Sequence, residues 1–161
     1  MKFNTEIFSQ YDKKWALLTA GKPEDFNTMT ISWGGLGTLW NKPAATVYVR
    51  KSRYTHVFME SEDYFTISFF SETCKPILGV LGSKSGRDID KIHDSGLTPM
   101  AAGESVAFIE AEATLICRKL FVQELEMDRI PKDIRTAFYS DGDAHDMYIG
   151  EVVDVRFAAQ D

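Results

Sequence analysis

The stretch SVAFIEAEATLICRKLFVQELEM, residues 105–127, decides the fold class. It contains neither proline nor glycine, is rich in β-branched and aromatic residues, and is too long for one ordinary strand, so it reads as two strands meeting near Arg118 and Lys119. On either side of it the same texture returns. WALLTA from Trp15, MTISWG from Met29, ATVYVR from Ala45, DYFTISFF from Asp63 and MYIGEVVDVRF from Met147 all carry strand signals by alternation or β-branched and aromatic enrichment. Short helices interrupt them at SRYTHVFMES, with Ser52 as candidate cap, at ETCKPILGVLG, and at RDIDKIHDSG, which stops at Gly96. The helices do not alternate regularly with the strands, so a doubly wound parallel sheet is excluded. Mostly antiparallel strands with a few peripheral helices point to a mainly β protein whose sheet closes into a barrel.

The chain has 161 residues with 44% hydrophobic content, enough for one sizeable core, and no repeat, linker or low-complexity tract divides it, so a single domain over residues 1–161 is expected. Eighteen basic residues stand against 24 acidic ones, for a formal net charge of −6. That balance argues against general affinity for nucleic acid or anionic membrane, and any anion site has to be local. Glu6, Asp12 and two lysines break the N-terminal stretch where a signal peptide needs an apolar run, and no segment reaches transmembrane length; a cytoplasmic location is the default expectation. Cys74 and Cys117 are too few and too far apart for a disulfide framework or a redox pair, and read as small hydrophobes.

Nucleotide-loop, zinc-protease and serine-hydrolase signatures are absent, and His56, His93 and His145 are scattered along the chain, which gives a histidine metal site or a Cys-His nucleophile no support. Two segments stand out instead. VRKSRYT, from Val49, places Arg50, Lys51 and Arg53 beside the hydroxyls of Ser52 and Thr55 at the start of a helix, where amide dipoles favour an anion. GSKSGRDIDK, from Gly82, adds Ser83, Ser85, Lys84, Arg87 and Lys91 with glycines that admit close backbone approach. Both fit a phosphate, and both also fit solvated turns, with Asp88 capping a helix. A third segment, FNTMTISWGGLGTLWNKP, has Trp33, Trp40 and a glycine cluster. It fits a flat aromatic ligand, or a hairpin whose tryptophans lie in the core.

Taken together, NTMTISWGGLGTLWNKP, VRKSRYT, DYFTISFF, GSKSGRDIDK and MYIGEVV resemble, in this order and spacing, the flavin reductase-like proteins with an FMN-binding split barrel, closest to the flavoredoxin branch. The resemblance covers roughly residues 27–153. It implies a Greek-key split barrel that forms a homodimer, holds FMN non-covalently and takes hydride from NADH or NADPH. Carried over by position, it places Asn27, Met29, Thr30, Ser32 and Trp33 along the isoalloxazine ring and ribityl chain, and Arg50, Ser52, Tyr54 and Thr55 at the ribityl and phosphate end. Ser83, Ser85, Gly86, Arg87, Asp88 and Lys91 match the second phosphate-side loop, with Lys91 as phosphate partner and Arg87 braced by Asp88. Lys51 points away from Arg50 and Ser52 if the strand continues. Many relatives have an acidic residue directly before a histidine, whereas this chain reads Asp143, Ala144, His145. The resemblance puts His145 over the flavin face on the nicotinamide side; read as a lone histidine, it fits a structural hydrogen-bonding role equally well.

The expected activity is NAD(P)H:FMN oxidoreduction, which needs orientation of a hydride donor and no acid or base, so no catalytic side chain is assigned. The alternative is a flavoredoxin-like electron carrier with tightly held FMN that serves a redox protein or a monooxygenase. A barrel that binds without redox function is the third reading.

Overall fold

The computed structural model describes residues 5–158. Seven strands form one antiparallel sheet: β1 (Ala16–Lys22), β2 (Asp25–Ile31), β3 (Gly34–Leu39), β4 (Lys42–Arg50), β5 (Tyr64–Phe69), β8 (Ala113–Glu124) and β9 (His145–Phe157). Their spatial order is β2-β1-β5-β8-β9-β4-β3, and β6 (Pro99–Ala102) with β7 (Ser105–Phe108) makes a separate hairpin. Because side chains alternate across a strand, each strand sends every second residue inward. Leu18, Met29, Val47, Phe65, Cys117 and Tyr148, from six different strands, all join one buried cluster, so the sheet curls around a single interior. Among the described residues β2 and β3 do not pair with each other, which leaves the barrel split between them. The fold is the mainly β barrel that the strand pattern predicts, with the split that the family resemblance implies.

β1 is buried on both faces. Leu18 points into the barrel, while Leu17 packs outward with Leu78, Leu81 and Phe108 under α3 (Lys75–Ser83) and the β6–β7 hairpin. That second layer fixes α3 and the segment following it against the outside of the barrel. The remaining helices are α1 (Glu6–Asp12), α2 (Tyr54–Ser61), α4 (Lys91–Ser95) and α5 (Lys132–Phe138). Gly96 ends α4 in the left-handed conformation, at φ 72°, as its sequence position predicts.

Residues 105–127 do form two strands, but the break lies elsewhere than expected. The chain turns at residues 109–112, where the Ala111 amide donates to the Phe108 carbonyl, and β8 then runs through Arg118 and Lys119. Register shifts at Ile116/Cys117 and Lys119/Phe121 bend the strand without ending it. The two cations stay in the strand because each finds a partner: Arg118 pairs with Glu151 at 2.7 Å, and Lys119 Nζ donates to the Met59 carbonyl at 2.6 Å. Trp33 and Trp40, at 41% and 62% exposure, are not core residues; Trp40 and Asn41 form the tight β3–β4 turn with positive φ at both. Cys117 is fully buried, which pushes its thiol up to about 12, and Cys74 is half-buried.

The interior tolerates little added volume at Gly150. A Cβ there would lie 2.7 Å from Phe65 Cζ and 3.0 Å from Cys117 Cβ. Gly150→Ala is expected to cost about 1–3 kcal/mol of stability through overpacking. Urea denaturation should show a lower midpoint with an unchanged slope.

Candidate functional site

The site is built where β2, the end of β4, the start of α2 and the segment after α3 come together. β4 ends at Arg50, and a turn closed by the Arg53 amide donating to the Arg50 carbonyl leads directly into α2. Lys51 lies away from Arg50 and Ser52 as expected, but through the turn, since the strand has already ended: Arg50 and Ser52 line an open hollow of about 370 Å³, while Lys51 pairs with Glu124 outside it. Ser52 does not cap α2. The capping position is Arg53, which makes no side-chain cap bond, and the Ser52 hydroxyl instead donates to Asp143 Oδ2 at 2.5 Å.

The opposite wall is the link between α3 and α4, residues 84–90. Ser83, Ser85 and Gly86 face the hollow, and Gly86 sits so close to β2 that a Cβ on it would lie 2.3 Å from Asn27 Oδ1. The other end of the Asn27 amide donates to the Thr55 hydroxyl at 2.7 Å, which ties β2, α2 and this link together. Behind them Lys91, only 3% exposed, donates to the carbonyls of Leu81 and Lys84 at 3.2 and 3.3 Å. Burial first, and Arg53 second, lower its ammonium to about 8. Among the described residues no carboxylate pairs with it, and the hollow it lines is open to an anion.

A second hollow of about 180 Å³ continues from the first and shares Met29, Arg50 and Arg53 with it. Thr30, Ser32 and Trp33 line it from one side, Tyr48 and His145 from the other. The Thr30 hydroxyl is spent on the Leu78 carbonyl at 2.5 Å, so its role there is to hold α3 against β2. His145 begins β9 and is buried; its Nδ1 shares a 2.8 Å hydrogen bond with the Tyr139 hydroxyl, and its ring lies 5.5 Å from that of Trp33. Burial, reinforced by Arg50, holds the imidazole down to about 4, so it is neutral at pH 7.

Of the residues singled out from sequence, Asn27, Met29, Arg50, Ser52, Tyr54 and Thr55 meet Ser83, Ser85, Gly86 and Lys91 around the first hollow, and Thr30, Ser32, Trp33 and His145 gather at the second. Arg87 and Asp88 line a neighbouring hollow on the outer side. Arg87 is braced by the Ser52 carbonyl at 3.2 Å and by the Tyr54 ring at 4.9 Å, not by Asp88, and the cap of α4 is Asp90, which accepts from the His93 amide. The histidines are also less isolated than their spacing suggests: His56 Nε2 lies 2.7 Å from Asp146, with Glu60 one helical turn further along α2. Arg53, a cation of the anion-binding segment that the resemblance does not carry over by position, lines both hollows, and Asp141 and Asp143, which sequence reasoning left out of the site, line the first. Nothing local marks Asp143 as a neighbour of Ser52, or Asp141 as one of Arg50.

Comparison with solved structures places this architecture firmly. An FMN-binding protein from Thermus thermophilus superposes with a TM-score of 0.72 at 22% identity, covering 98% of this chain and 77% of that one. A flavoredoxin from Methanosarcina acetivorans gives 0.71 at 23%, covering 99% and 76%. The nitrilotriacetate monooxygenase component B homologue from Mycobacterium thermoresistibile gives 0.71 at 14%, covering 96% and 74%. At these identities the likeness is one of fold. No curated protein matches the chain at a significant level. The model of the flavin reductase like domain matches residues 8–161, nearly the whole length, and the chain therefore belongs to the flavin reductase-like family.

Proposed function

We propose that this protein is an FMN-binding oxidoreductase of the NAD(P)H-dependent flavin reductase type, acting as a single domain that pairs into a homodimer. Family membership supports a flavin-related oxidoreductase role, and one observation carries the finer reading. The two hollows join through Met29, Arg50 and Arg53 into an elongated site with cations and hydroxyls at one end and Trp33 with His145 at the other. A ligand with a charged tail and a planar head matches that polarity, and the larger hollow falls within the ~300–1,000 Å³ usual for small-molecule sites.

In this reading Ser52, Ser83, Ser85 and Lys91 hold the phosphate, with Tyr54 and Thr55 at the start of α2 presenting amides to it. Met29, Ser32 and Trp33 border the ring system. Bound there, FMN supplies a two-electron acceptor for hydride from a reduced nicotinamide. The protein orients the partners: Trp33 walls the ring end, and neutral His145 offers Nε2, which has no hydrogen-bond partner among the described residues, to a polar group of the incoming donor. No side chain at the ring end is placed to trade protons at pH 7, in keeping with a hydride transfer that requires none.

The test is anaerobic. Purified protein with FMN and NADH or NADPH is expected to bleach the flavin band with at least one donor, and no bleaching with either removes the reductase reading. A second reading, an electron carrier serving a redox protein or a monooxygenase, is favoured by the exposed rings of Trp33 and Phe138, 5.3 Å apart at the mouth. It predicts slow bleaching by nicotinamides and FMN retained through gel filtration. The homodimer is supported by Phe121, Val122, Val153 and Val155, exposed apolar residues on the two longest strands. Among the described residues no helix is long and apolar enough to cross a membrane.

A further inference from the structure

We infer that Asp143 is a specificity-determining residue of the flavin site: its carboxylate occupies the donors of Ser52 that an incoming phosphate would use, so the site favours the phosphorylated flavin over riboflavin less than its cations and hydroxyls alone would. The inference rests on the proposed flavin reading and deepens it.

Asp143 Oδ2 accepts from the Ser52 hydroxyl at 2.5 Å, and Oδ1 lies 3.3 Å from the Ser52 amide, so both oxygens of one carboxylate cover both donors of one residue. Arg50 Nη1 lies 3.9 Å from the same carboxylate and 3.3 Å from Asp141. The short segment carrying these acids is itself tied down. The Asp143 amide donates to Asp141 Oδ1 at 3.1 Å, its carbonyl accepts from Arg50 Nη1 at 3.0 Å, and Gly142 takes a positive φ of 77° to close the turn. Asp143 is therefore held in the cradle by its own backbone. His145, two residues on, is neutral at pH 7 and does not compensate the charge.

A phosphate dianion and this carboxylate cannot share the Ser52 donors, because both are anionic acceptors within contact distance. Seating FMN requires the Asp143 side chain to leave Ser52, whereas riboflavin, which ends in a neutral hydroxyl, imposes no such exchange. The result is a site with weakened discrimination in favour of the phosphorylated flavin.

The experiment is a set of fluorescence titrations of wild type, Asp143→Asn and Asp143→Ser with FMN and with riboflavin. Asp128→Asn, an equal charge change on a residue that lines none of these hollows, is the control. Both Asp143 variants should bind FMN about tenfold more tightly than wild type, the change expected from removing one competing charge at short range. Riboflavin affinity should stay within about twofold, and Asp128→Asn should match wild type for both ligands. Unchanged or weaker FMN binding by the Asp143 variants overturns the inference while leaving the flavin reading in place. An equal gain for riboflavin also overturns it, because the effect then does not act on the phosphate. If no form of the protein binds either flavin, the flavin reading fails and the inference falls with it.

Discussion

Lys91→Met is expected to weaken FMN binding about a hundredfold while leaving the ligand-free protein at least as stable as wild type at pH 7. The ammonium is buried and, among the described residues, its only hydrogen bonds go to the carbonyls of Leu81 and Lys84, with no carboxylate paired to it. Its pKa is lowered from 10.5 to about 8, chiefly by burial. Between those two values the unfolded chain binds more protons than the folded one, so this group makes stability rise with pH across that window. Below about pH 8 the full cost of the buried charge is present, on the order of 3 kcal/mol. Methionine removes that cost and loses the two carbonyl bonds, which offset part of the gain. A phosphate beside the ammonium reverses the balance, because the dianion favours the charged form and raises its pKa in the complex. Wild-type FMN affinity should accordingly be level below about pH 8 and fall above it, while Lys91→Met should be weak and flat across the same range. Titrations from pH 6.5 to 9.5 together with thermal melts of the free protein check both halves. A variant that melts far below wild type would mean that Lys91 is structural.

Arg50→Ala is expected to abolish measurable flavin binding, a loss of more than about a hundredfold, together with about 2 kcal/mol of stability. Its guanidinium donates to the Phe138 carbonyl at 2.6 Å and to the Asp143 carbonyl at 3.0 Å, pairs with Asp141, and lies over the Tyr139 ring at 5.3 Å. One side chain at the end of β4 thus pins the segment from the end of α5 to the start of β9, and it also lines both hollows. Removing it unpartners two carbonyls and leaves Asp141 and Asp143 as uncompensated negative charge where the phosphate is to sit. Arg50→Lys should rescue little, since a single ammonium cannot reproduce the forked contacts. The titration of His145 reports the loss of the Arg50 charge. Arg50 is the second contributor to its lowered pKa, after burial, so in the variant the imidazole should titrate above about 4 yet stay below its ordinary value. Proton NMR of the imidazole across pH 3–8 reads this directly.

Much of this architecture was legible in the sequence because strand alternation is a local signal. ATVYVR and DYFTISFF alternate or run apolar over one strand length, and each became a strand of the barrel. The break in residues 105–127 was misplaced because a pair of adjacent cations reads as a turn, and only the folded chain supplies the Glu151 carboxylate and the Met59 carbonyl that keep them in the strand. Helix α5 was invisible for the opposite reason: it buries no residue and its N-cap, Pro131, makes no side-chain bond, so it leaves neither an apolar stripe nor a cap in the sequence. The candidate site divides in the same way. Hydroxyls, cations and glycines in VRKSRYT and GSKSGRDIDK announce an anion cradle by composition. The aspartates that now occupy part of it lie 91 residues from their partners in the chain, a distance over which no periodicity or spacing carries information.

The most direct test of the central claim, that these two segments jointly grip the phosphate of a flavin, is a crystal structure of the protein grown with FMN. The account predicts the phosphate between the start of α2 and the α3–α4 link, within hydrogen-bonding distance of Ser83 or Ser85 and of Lys91 Nζ, with the ring beside Trp33. A flavin bound elsewhere, or one whose phosphate points to solvent away from Lys91, contradicts it.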